Sequence, residues 1–191
     1  ARYRTDAAGS GREPGIRSAA LKALAQLREV APELNYENPL VNQQILDEAR
    51  YYYELSAILA PFAEYLEKRR SASGLLARSL QERLRQTLQR LFRLLGLRYS
   101  SQEMHWTYLA LANADKEKHT AALEFLDNLL DKDLKRILIP MLESERVTDE
   151  GRRLFGLEPQ DPADAIAALK ETGDPWLTVC ADAAAGELGL A

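Results

Sequence analysis

Ser18-Ala19-Ala20-Leu21-Lys22-Ala23-Leu24-Ala25-Gln26-Leu27 and Thr120-Ala121-Ala122-Leu123-Glu124-Phe125-Leu126-Asp127-Asn128-Leu129 are one phrase written twice. Five of the ten positions coincide, and they are two alanines and three leucines. A looser third version, Val179-Cys180-Ala181-Asp182-Ala183-Ala184-Ala185-Gly186-Glu187-Leu188, lies near the end of the 191-residue chain. Turn or helix-start residues precede each copy: Pro14-Gly15, Asp115-Lys116 and Asp174-Pro175. Alanines where a helix must approach a neighbour, followed by leucines at helical spacing, are what stacked helical pairs require. The phrase therefore predicts an all-α chain arranged as an α-solenoid.

Working outward, Pro14 opens a helix with Ile16, Ala20, Leu24 and Leu27 on one face, ending before Pro32. The stretch before it, residues 1–13, holds Gly9, Ser10 and Gly11 without periodicity and is expected to be a flexible lead. After a polar connection at 33–38, a long helix is expected from Pro39 to Arg70, with Leu40, Ile45, Ala49, Tyr52, Tyr53, Leu59, Phe62 and Leu66 turned inward. Pro61 should break or bend it near Ala57–Ala60. Beyond a joint at Ser71–Gly74, leucines 80, 84, 88, 91 and 95 form one stripe, with Gly96 read as the helix cap. Ser100–Glu103 is a capping box, and further helices are expected over 116–130, 133–144 and 148–155. Asp161-Pro162 and Asp174-Pro175 each pair an N-cap with proline at the first helical position.

Composition narrows the function classes. Apolar residues make up 46% and charged residues 28%, ordinary values for a water-soluble domain. A net charge of −4 and an isoelectric point near 5.4 count against a chain that is basic as a whole, and so against nucleic acid as the partner. The single cysteine, Cys180, rules out an internal disulfide framework and fits a reducing, cytoplasmic compartment. No apolar run reaches the ~18–20 residues that span a bilayer. Without an initiator Met or a signal-peptide pattern, and with a repeat-like helix at its end, the chain reads as a piece of a larger protein.

Arg17-Ser18-Ala19-Ala20-Leu21-Lys22-Ala23-Leu24 resembles the second helix of a HEAT repeat, in which an arginine precedes small residues and leucines. Arg90–Tyr99 followed by Ala121–Leu130, and Asp174-Pro175-Trp176-Leu177 before an alanine-rich helix, are more particular. They resemble HEAT-like cytoplasmic regions attached to bacterial membrane proteins of the ATP/ADP-translocase-like, major-facilitator-like type. The resemblance implies a HEAT-like solenoid of about 8–9 helices forming a single domain over 14–191. It also implies an interaction or regulatory role without catalysis or cofactor, and a protein partner or adjoining membrane domain. Residues 35–98 depart from it as an insert whose long helices exceed the usual ~40–47-residue repeat.

The insert carries the main functional signal. Between positions 68 and 98, Lys68, Arg69, Arg70, Arg78, Arg83, Arg85, Arg90, Arg93 and Arg98 face a single acid, Glu82. Arg69, Arg70, Arg78, Arg83, Arg85, Arg90 and Arg93 are the candidate binding residues for an anionic surface, a membrane among them. The plainer reading is a hydrated helix face with intrahelical partners. The heptad pairs Arg78/Arg85 and Arg83/Arg90 point in different directions, which argues against one ligand pocket. Tyr51–Tyr53 sweep about 200° of helix, so one or two should enter the core. His105 and His119 have no metal-ligand spacing, and Cys180 aligns with Ala19 and Ala121 as a small buried residue. Trp176 is expected to plug the joint between helical pairs. The sequence has no GxGxxG, GxxxxGK[ST], GxSxG or CxxC. The alternative class is a nucleic-acid-binding HEAT-like protein of the DNA glycosylase type, for which Trp106, Tyr108 and Asp115 are the nearest candidates.

Overall fold

The computed structural model describes residues 39–113, 115–143 and 147–190, with Ala23, Leu27 and Val30 besides. The expected lead at 1–13 lies outside the described residues, as does all but those three positions of the expected first helix. Leu27, placed on the inward face of that helix, is exposed.

The described residues form eight α-helices and one 3-10 helix, and none is in a strand. Helix α1 covers Pro39–Leu59 and gives way to a 3-10 helix over Ala60–Tyr65. Pro61, which has no amide hydrogen for the ladder, sits at the start of that tighter turn. Helix α2, Ala72–Arg98, has 27 residues and is about 40 Å long. It runs antiparallel to α1, because Asn42 meets Arg98 and Glu48 meets Arg90. Helices α3 (Ser101–Leu111), α4 (Lys116–Leu129), α5 (Lys132–Leu142) and α6 (Val147–Phe155) follow, then α7 (Pro162–Glu171) and α8 (Pro175–Leu188).

Local chemistry sets most of these boundaries. Ser71, Ser100, Asp115, Asp131, Asp161 and Asp174 are N-caps whose side chains accept backbone N–H bonds from the first turn. Gly96 is the exception to the expected pattern: it lies inside α2, not beyond it. A Cβ there would stand 3.2 Å from the Cα of Ser101, so the glycine admits the start of α3 against α2. Helix α8 does not run off the end of the chain either. It closes on Gly189 at φ 69°, with the Leu190 amide donating to Ala185 O.

Two hydrophobic cores share the α1–α2 pair. The first combines Ile45, Ala49 and Tyr53 of α1 with Leu91–Leu97 of α2 and buried residues of α3, α4 and α5. The second combines Leu55, Ile58, Phe62, Leu76, Leu80 and Leu84 with the inner faces of α7 and α8. Helices α2 to α6 each pack on the next in sequence, as a solenoid requires. Helix α1 also touches α5, α6 and α7, and α2 packs along α8, so elements far apart in sequence meet on the central pair. Leu40, expected to face inward, is 70% exposed at the start of α1.

The recurring phrase turns the same stripe inward in both described copies. Ala122, Leu126 and Leu129 match Ala181, Ala185 and Leu188 in register, and all six are buried or half-buried. The copies differ beside that stripe. Cys180 and Ala184 are buried, whereas their counterparts Ala121 and Phe125 are exposed.

Candidate functional site

The arginines of α2 separate into two sets according to where they point. Arg90 reaches across to α1, with Nε 3.1 and 3.2 Å from the two carboxylate oxygens of Glu48 and Nη2 2.9 Å from Thr87 Oγ1. The side chains of this ion pair are only 13% and 10% exposed. Thr87, fully buried, donates in turn to Arg83 O. One heptad earlier, Arg83 pairs with Asp174, the N-cap of α8. Arg98, at the far end, donates to Asn42 Oδ1 at 2.7 Å and pairs with Asp131 at 2.5 Å. These arginines hold helices to one another.

Tyr51 lies against this seam. Its hydroxyl pKa is raised chiefly by burial, while the charges of Arg83 and Arg90 pull the other way. Tyr52 is raised by burial as well. Tyr53 is the fully buried member of the triplet, donating to Ile137 O at 2.8 Å, and burial pushes its pKa up strongly.

The second set serves the surface. Lys68, Arg69 and Arg70 are consecutive and exposed on the turn between the 3-10 helix and α2. Arg78 braces that turn from below: its guanidinium donates to the carbonyls of Leu66, Lys68 and Arg69 at 3.1–3.3 Å. Lys68 Nζ stands 4.1 Å over the Tyr65 ring. Arg85 pairs with Glu82 on the same helix and remains 69% exposed. Arg93 is half-buried. The seven candidates therefore do not converge, and Arg83 and Arg90 are tied to carboxylates supplied by other elements.

Sequence reasoning read Asp131 and Asp174 only as helix caps and passed over Glu48, so it missed that all three pair with arginines of α2. The heptad spacing of Arg83 and Arg90 was the available signal, because inward-pointing arginines need acids opposite them.

Beside α8 lies an open groove of about 340 Å³, lined by Arg78, Ser79, Glu82, Arg83, Gln86 and Trp176. Trp176 does not plug a joint: it is 54% exposed, anchored by Nε1 donating to Ser79 Oγ at 3.1 Å. Cys180 is buried, its sulfur 3.9 Å from Ser79 Oγ. His105 and His119 are on α3 and α4, away from the elements that line this groove. Among the described residues no three His, Cys, Asp or Glu side chains gather as a metal site would need.

The residues singled out for nucleic acid have separate tasks. Tyr108 packs against Phe92 as a tilted pair with ring centroids 5.8 Å apart, and Trp106 is 61% exposed. Asp115 caps α4, and its hydrogen bonds to the Lys118 side chain and amide hold its carboxyl below the usual range. No described helix is long and apolar enough to cross a membrane. Comparison with protein-family models, with curated proteins and with solved structures returns no match to this chain.

Proposed function

We propose that this chain is a non-enzymatic helical interaction module, a cytoplasmic part of a larger bacterial membrane-associated protein, that docks an anionic surface through its basic turn. The HEAT-like, transporter-attached form of this reading rests on the sequence resemblance alone, and the neighbour-on-neighbour packing of α2 to α6 bears only on its stacked-helix part. The single observation that carries the docking is the braced turn. Three adjacent cations, Lys68, Arg69 and Arg70, project from a segment whose carbonyls are held by Arg78. Holding the turn in advance lowers the ordering cost of contact. The surface that matches is a phospholipid leaflet, on which each nearby Lys or Arg contributes about 1 kcal/mol.

Reversing Arg83 or Arg90 would strip Asp174 or Glu48 of its counter-charge and damage the fold, so the test belongs to the exposed cations. The triple variant Lys68→Glu, Arg69→Glu, Arg70→Glu should keep the helical circular-dichroism spectrum. Its co-sedimentation with anionic vesicles at low salt should fall by roughly two orders of magnitude. Raising the ionic strength should weaken the unmodified chain in the same way. Equal binding of the two proteins, or no binding of either, would remove this reading.

A further inference from the structure

Helix α8 presents more apolar surface to solvent than its place in the fold explains. Its inner face, with Leu177, Cys180, Ala181, Ala184 and Ala185, fills the second core. Its outer face shows Trp176, Val179, Ala183 and Gly186, and Leu190 follows just past the cap. The steps are three, four, three and four residues, the spacing of a seam that one helix offers to another. Trp176, Val179 and Leu190 are 54%, 62% and 43% exposed.

The row has a second property: it is complementary to its own reverse. Turned about Ala183, Trp176 comes opposite Leu190, Ala183 meets itself, and the bulk of Val179 comes within one residue of Gly186. Gly186 is otherwise unexplained. It is helical, and a Cβ there would meet nothing within 4 Å. In a helix interior such a glycine costs about 1 kcal/mol relative to alanine. Beside Val179 of the reversed row it becomes the hole for a knob.

Charge agrees with the same arrangement. Reversed packing sets the carbonyl end of one α8 against the amide end of the other. The acids flanking the row are already engaged: Asp182 pairs with Lys170 at 2.7 Å, and Glu187 accepts from the Ser73 amide at 2.7 Å.

We infer that α8 is a self-association face, on which a second copy of this chain packs antiparallel across a two-fold axis at Ala183. A 14-residue helix is about 21 Å long, and its face falls short of the ~800 Å² per partner of a standard interface. The dimer is therefore concentration-dependent, with a Kd on the order of micromolar. The row ends near the basic turn, where Glu187 accepts from Ser73, so the two readings are told apart by their variants: Arg69→Glu and Arg70→Glu test vesicle docking, whereas Ala183→Arg and Gly186→Gln test association.

Sedimentation equilibrium on the full chain between roughly 1 and 500 μM tests the inference. The expected result is a monomer–dimer equilibrium that Ala183→Arg shifts to monomer, because two like charges then meet on the axis. Gly186→Gln separates association from folding. It should leave the melting temperature of the dilute monomer unchanged or higher, through better helix propensity, while raising Kd at least tenfold. Ala183→Cys should form a disulfide-linked dimer under mild oxidation, and Gln81→Cys, exposed on α2, should not. A chain monomeric up to the highest concentration would overturn the inference. So would a dimer indifferent to Ala183→Arg and Gly186→Gln.

Discussion

Glu48 and Arg90 form the most enclosed ion pair among the described residues, beside Ile45, Ala49 and Leu91 of the first core. A buried pair of this kind contributes little over an apolar substitute, yet losing one member leaves a charge without solvent or partner. Glu48→Ala should therefore cost roughly 3–5 kcal/mol in urea unfolding. Glu54→Ala, which removes the exposed partner of Arg50, should cost no more than about 1 kcal/mol. Equal losses would show that the seam is as hydrated as the surface. Neither the depth of Glu48 nor its partner was legible in the sequence, where it is one acid among many on a helix with mixed faces. Cys180, by contrast, was legible as a small buried side chain from its alignment with alanines.

At the scale of the element, α8 is tied to α2 by a carboxylate at each end, Asp174 to Arg83 and Glu187 to Ser73. Glu187 accepts from the amide and the hydroxyl of Ser73 at the start of α2, and the Ser73 amide is the main reason its pKa lies below the usual 4.5. In the folded chain Glu187 stays ionised at a pH where the unfolded chain has begun to take up a proton. Its contribution is thus complete above about pH 4.5 and is lost as pH falls through the lower folded value. The protection factor of the Ser73 amide, taken against its intrinsic exchange rate at each pH, should fall on acidification from roughly pH 6 to pH 3, and Glu187→Gln should remove that pH dependence. An acid response unchanged in the variant would place the titrating group elsewhere. The helix boundaries were the most readable layer of all, because aspartate-proline pairs, Ser100 and the proline break act over a single turn, although Ser71–Gly74, read as a joint, is the cap and first turn of α2. Gly96 misled for an equally local reason: a glycine after a leucine stripe looks like a cap until α3 is seen pressing on it.

At the scale of the whole molecule, the α1–α2 pair is what the two cores share among the described residues. Truncating a core leucine leaves a cavity and costs about 2–5 kcal/mol. Leu177→Ala in α8 should lower hydrogen-exchange protection in α7 and α8 while α4 and α5 keep theirs, and Leu126→Ala in α4 should do the reverse. Uniform loss of protection in both variants would mean that the cores unfold as one unit.

The sequence alone determined that the described chain is helical, where most helices begin and end, and which stripe of the recurring phrase turns inward. Those properties depend on spacing and capping within a few residues, so they can be read along the chain. Only the tertiary structure decided that α1 and α2 serve two cores, that Arg83 and Arg90 bind acids far away in sequence, and that Trp176 and Val179 remain uncovered on α8. Each of these depends on which distant elements pack together, and a helical stripe states that it must be buried without stating against what.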